Sequence, residues 1–204
     1  MSKLQEAFER GEFAVTAEMA PPKGTDLSHL IECAKMCVGR VHAANVTDFQ
    51  SAVMRATSLA TCKLLKDIGL EPVIQMTGRD RNRIAIEGEM LSAGVFGIPN
   101  LLALTGDHTS VGDHPQAKPV FDLDSVSILK TASTLNSGVD SVGLELQGKT
   151  DFYLGACVTP EYSPIEVQLL KMQKKINAGA KFFQTQAVYD IEDRKSTRLN
   201  SSHP

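Results

Sequence analysis

Leu101-Leu102-Ala103-Leu104-Thr105-Gly106-Asp107 is a short apolar run that stops abruptly at polar and charged residues. A run this short, without a 3.6-residue period, reads as a strand buried on both faces, and the glycine lets the chain turn tightly where the run ends. The same construction recurs at residues 13–17 ending at Glu18, 43–46 at Thr47-Asp48, 72–76 at Thr77, 153–158 at Thr159 and 182–184 at Thr185-Gln186. Amphipathic helical stretches alternate with these runs. Parallel strands need crossover connections, which helices supply. The expected fold is therefore α/β, a (β/α)8 TIM barrel, with its site at the C-terminal strand ends where the polar residues gather.

A complete eight-unit barrel takes about 250 residues. The chain has 204, so about six βα units and a C-terminally truncated barrel are expected. Residues 194–204 are polar and follow neither hydrophobic period, so they read as a non-native tail. Residues 1–193 read as one partial barrel domain without a linker.

Hydrophobic residues at 42% and charged residues at 22% are ordinary for a globular domain with a sizeable core. The net charge of -3 offers no basic field for nucleic acid or anionic membrane. No apolar run approaches the ~20 residues of a spanning helix, and the N-terminus has no signal-type stretch. A cytoplasmic enzyme with no nucleic-acid or membrane partner is expected. Cys33 and Cys37 share one helical face without a nearby ligand partner, so they read as core residues. His108 and His114 read as surface loop residues, and no metal is expected.

Cap signals place helices from Asp26 as N-cap to Gly39, over 56–68, over 80–96, from Asp122 or Asp124 to Gly138, and from Ser163-Pro164 to Gly179. The loop over 108–120 is long, and long loops after barrel strands usually carry function. Residues 139–150 form a second irregular piece.

Four motifs then carry a resemblance. Thr16-Ala17-Glu18-Met19-Ala20-Pro21-Pro22-Lys23-Gly24, Met76-Thr77-Gly78-Arg79-Asp80-Arg81-Asn82-Arg83, Leu102-Ala103-Leu104-Thr105-Gly106-Asp107 and Phe182-Phe183-Gln184-Thr185-Gln186 stand in order and at matching spacing. Over residues 12–193 the chain resembles the methylenetetrahydrofolate reductase family. The resemblance implies a flavoprotein of one-carbon and methionine metabolism that reduces 5,10-methylenetetrahydrofolate to 5-methyltetrahydrofolate. It implies FAD or FMN as cofactor, NAD(P)H as transient hydride donor, and a homo-oligomer or a partner subunit.

Hydride can reach the methylene carbon only after the imidazolidine ring opens to an iminium, which needs a proton on the departing N10. Glu18 matches the family's acid. Asp107 matches a carboxylate that stabilises the cation, binds substrate and touches the flavin; as a bare motif it is as often a helix N-cap. Gln186 resembles the folate-binding amide, its alternative being a barrel-layer residue. Thr47 and Lys175 match flavin contacts; a cation late in a helix is also favoured by the dipole alone.

Gln75 and Thr105 stand where some relatives carry His and Arg near the flavin, so they join Gly106 in the expected cofactor set, with FAD versus FMN left open. Arg79, Arg81 and Arg83 are expected to crowd the first turn of a helix, where the dipole disfavours them and an anion would relieve the repulsion. Arg79 is accordingly assigned to the cofactor; the alternative is a solvated basic turn paired with Asp80 and Glu87. Two rival readings are a non-catalytic flavin- or folate-binding subunit and a metal-dependent barrel lyase, which would need His or carboxylate ligands at strand ends.

Overall fold

A computed structural model describes residues 1–160 and 163–189. The tail over 194–204 lies outside the described residues. The chain runs α1 (Lys3–Glu9), β1 (Thr16–Met19), α2 (Ser28–Cys37), β2 (Ala43–Val46), α3 (Ser58–Asp67), β3 (Pro72–Thr77), α4 (Arg83–Val95), β4 (Asn100–Leu104), α5 (Ser125–Ser137), β5 (Tyr153–Val158), α6 (Ile165–Asn177) and β6 (Phe182–Thr185). The six strands form one parallel sheet in sequence order.

That sheet is curled. In a flat sheet β2 and β6 would lie about 19 Å apart, four spacings of ~4.8 Å, yet Gln184 of β6 donates to Asn45 of β2 at 2.8 Å. The architecture is the arc of a TIM-type barrel, as the alternation of runs and helices predicts.

Alternation along each strand divides the core in two. Val46, Ile74, Met76 and Leu101 point outward onto helix residues such as Leu65, Met90 and Leu129. Ala43, Val73, Leu102 and Phe182 point inward and meet Leu4 of α1, which covers the N-terminal strand ends. Burial on both faces is why these strands read as continuous apolar runs. Glu71 anchors α1 by accepting from the amides of Lys3 and Leu4 at 2.7 and 3.1 Å, and from Asn100 Nδ2 at 2.8 Å. A carboxylate there meets both the unpaired amides and the positive end of the helix dipole.

Several expected boundaries move. β1 begins at Thr16 because its pairing with β2 begins there, opposite Ala43, and Phe13 is left exposed. Glu18 therefore lies within the strand. α2 begins at Ser28, and Asp26 accepts from the Ser28 amide at 2.9 Å from one residue further out than an N-cap. α4 begins at Arg83 because Asn82 caps it through the Ala85 amide, so residues 80–82 are not helical. α3 likewise begins at Ser58. α5 keeps its expected ends, Asp124 as N-cap and Gly138 in the left-handed conformation. Cys33 and Cys37 pack against the core from α2. No helix among the described residues is long and apolar enough to cross a membrane.

Candidate functional site

The C-terminal strand ends surround a cavity of about 500 Å³. Glu18 of β1, Asp107 after β4 and Gln186 after β6 all line it. So do Thr47, Gln75, Arg79, Thr105 and Gly106. Lys175 does not: its ammonium donates to the Cys157 carbonyl at 2.6 Å, fixing the end of β5, and burial lowers its pKa.

The carboxylates of Glu18 and Asp107 are exposed to the cavity and have no partner among the described residues. The chain around Glu18 is held from below. Arg55 donates to the Pro21 carbonyl and the Ala56 amide to the Pro22 carbonyl, each at 3.0 Å. Gly106 takes φ +92°, and a Cβ there would lie 3.1 Å from Arg79 Cβ and 3.3 Å from Thr77 Cβ. Only glycine turns the chain tightly enough to present Asp107. Thr105 spends its hydroxyl on the Ser125 amide at the start of α5. Thr47 is buried, and its Oγ1 has no hydrogen-bond partner among the described residues.

The three arginines do not crowd one helical turn, because only Arg83 belongs to α4. Each has its own carboxylate. Arg79, 2% exposed, binds Asp80 twice and donates to the carbonyls of Asp107 and Phe49, joining the loops after β2, β3 and β4. Arg81 forks onto Asp48 at 2.8 and 3.1 Å, pairs with Glu89 and covers the Phe49 ring at 5.3 Å. Burial works against the Arg81 charge, but Asp48 outweighs it and raises its pKa. Burial raises the Glu89 pKa despite Arg81. Arg83 pairs with Asp122, the expected solvated case with a different acid from Glu87.

Sequence reasoning passed over the loop after β2. Phe49, Ser51 and Ala52 adopt φ of 46°, 56° and 57°, a conformation costly for residues with a Cβ. Phe49 and Ser51 line the cavity. No sequence signal marks left-handed residues other than glycine or asparagine. The loop is clasped by Asp113, which pairs with Lys23 and accepts from the Met54 amide at 3.0 Å. Lys23 above all, then His114 and Met54, hold the Asp113 carboxyl well below the usual carboxylate range.

A second cavity of about 390 Å³ adjoins the first at Thr105 and Gly106, and His108 and Phe121 line it with rings 6.4 Å apart. His108 is exposed, as expected of a loop residue, and also borders this cavity. His114 is exposed and pairs with Asp113. Among the described residues no group of three or more His, Cys, Asp or Glu is placed to hold a metal.

Solved structures share this architecture. An uncharacterised protein from Clostridium thermocellum that binds two copies of 5-methyl-5,6,7,8-tetrahydrofolic acid aligns with a TM-score of 0.63 at 20% identity, over 97% of this chain and 63% of its own. A 2,3-dimethylmalate lyase of the PEP mutase/isocitrate lyase superfamily aligns with a TM-score of 0.64 at 9% identity, over 99% of this chain and 68% of its own. Oxaloacetate acetylhydrolase aligns at 0.59 and 12%, over 98% and 68%. At these identities the likeness shows the fold alone, and the chain spans less than two thirds of the first protein's length. The sequence pattern of methylenetetrahydrofolate reductase matches residues 3–197, and the chain belongs to that family.

Proposed function

We propose that this site reduces 5,10-methylenetetrahydrofolate to 5-methyltetrahydrofolate with a flavin, FAD or FMN, recharged by NAD(P)H. The observation that carries the reading is that Glu18, Asp107 and Gln186, from three distant segments, meet at one cavity. The two carboxylates among them have no partner to neutralise them among the described residues. The cavity also suits a flavin. About 500 Å³ is in the range of small-molecule sites, and the orphaned Thr47 hydroxyl is a buried group that needs a ligand partner. Thr47, Gln75, Thr105, Gly106 and Arg79 line the cavity and would hold the flavin, and Lys175 supports the end of β5. When bound, the flavin supplies hydride transfer.

The chain's own residues do the acid and electrostatic work. Glu18 delivers the proton to N10, so that the imidazolidine ring opens and the methylene carbon becomes an electrophilic iminium. Asp107, whose carboxylate has no ion-pair partner among the described residues, stabilises that positive charge. Gln186 offers a donor and an acceptor to the pterin edge. The Clostridium thermocellum protein's binding of a methylated tetrahydrofolate supports a folate at this fold. Incubating the purified protein with FAD or FMN, NADH or NADPH, and 5,10-methylenetetrahydrofolate tests the reading. Formation of 5-methyltetrahydrofolate supports it, and flavin binding without product would favour a non-catalytic binding subunit.

A further inference from the structure

Gln184 occupies β6 two residues before Gln186, one pleat deeper on the same inward face. It lines the cavity. One end of its amide meets Asn45 Oδ1 at 2.8 Å, and Asn45 Nδ2 in turn meets Thr16 Oγ1 at 3.3 Å. Among the described residues the other end of the Gln184 amide has no partner. Asn45 is 6% exposed, so its amide is confined to this relay.

The chemistry of the relay is reversible. It ends on a hydroxyl, which donates or accepts equally well. In one state Asn45 donates to Thr16, Gln184 donates to Asn45, and the Gln184 carbonyl is left for the cavity. If both amides turn over, Thr16 donates to Asn45, Asn45 donates to Gln184, and the Gln184 NH₂ is left instead. Both states keep the same two hydrogen bonds. A relay ending on a carboxylate or an ammonium could not invert in this way.

From this geometry we infer that Gln184 contacts an edge nitrogen of the flavin ring and inverts its polarity with the ring's redox state. This rests on the flavin reading above. An edge nitrogen of the oxidised ring is an acceptor and takes the Gln184 NH₂. In the reduced ring that nitrogen carries hydrogen and donates to the Gln184 carbonyl. Because the contact persists in both states, it binds the cofactor without favouring either one.

The test measures dissociation constants of oxidised and reduced flavin, and the midpoint potential by dye equilibration, for the wild type and Gln184→Met. Loss of one hydrogen bond weakens binding roughly tenfold. The expectation is that loss in both redox states with an unchanged potential. Loss in one state only, with a shifted potential, would overturn the inversion. Unchanged affinities in a variant that folds would overturn the contact while leaving the flavin reading intact. A wild type that binds no flavin would overturn both. A second measurement needs no variant: redox-difference infrared spectra of wild type with isotope-labelled glutamine side chains. A glutamine carbonyl band that shifts on reduction is expected, and its absence would contradict the inversion.

Discussion

Thr77 gives both its backbone amide and its hydroxyl to the same carboxylate oxygen of Asp48, each at 2.9 Å. That oxygen also takes Arg81 at 2.8 Å, so one buried carboxylate ties the end of β2 to the end of β3 and to the approach to α4. The tie holds Thr47 and Phe49, its sequence neighbours, against the cavity.

Asp48→Asn leaves an acceptor for Thr77 but strands Arg81 with Glu89 alone. Removing one partner of a buried pair costs about 3 kcal/mol or more. Urea denaturation should show that loss. A variant as stable as wild type would mean that the Asp48–Arg81 pair contributes nothing net.

The carboxylate of Glu18, the proposed acid, has no hydrogen-bond or ion-pair partner among the described residues. Glu18→Gln should leave flavin binding and reduction by NAD(P)H intact while folate reduction falls by about 10² to 10⁴. Normal folate turnover in the variant would remove Glu18 from the chemistry.

Gly155 of β5 faces the barrel interior directly beneath a ring. A Cβ built on it would lie 2.2 Å from Phe182 Cζ, and Phe182 stacks in turn on Tyr153 at 5.2 Å. Gly155→Ala should cost roughly 1–3 kcal/mol through overpacking. Thermal unfolding measures it, and Gly155→Ala with Phe182→Leu should recover part of the loss.

The acid limb of stability has an identifiable contributor. Arg83 lowers the Asp122 pKa from 3.8 to about 2. A folded value below the unfolded one means the contribution is complete above about pH 4 and is lost as pH falls through about 2. Asp122→Asn should therefore flatten that limb in urea midpoints measured across this range, and should change stability little once both proteins are at the acid end.

The parts of this molecule that burial decides were legible in the sequence. β2 and β5 have the bounds their runs indicate, since both faces are covered and most residues in each run are apolar, with Asn45 of β2 the polar exception. β1 was misjudged at its start because Phe13 is apolar yet has no strand beside it. The positions of Asp107 and Gln186 just past the ends of β4 and β6 were also legible, because a polar residue closing an apolar run marks the rim, whereas Glu18 lies within β1, which runs on to Met19. What failed was pairing across the chain. Asp80 was expected as a partner of the basic turn and pairs with Arg79, but nothing in residues 79–83 says that Arg79 will also grip two carbonyls, Arg81 Asp48, and Arg83 Asp122. These partners lie up to 39 positions away, and the helix expected over 80–96 begins at Arg83, where Asn82 caps it. The left-handed loop after β2 and the Gln184–Asn45 contact are likewise products of tertiary closure.

The most direct measurement reduces the flavin of the purified protein chemistry-first, without oxygen or nicotinamide, then adds 5,10-methylenetetrahydrofolate and follows the visible spectrum. The account predicts return of the oxidised flavin band with one 5-methyltetrahydrofolate formed per flavin. A flavin that stays reduced while folate binds would contradict it.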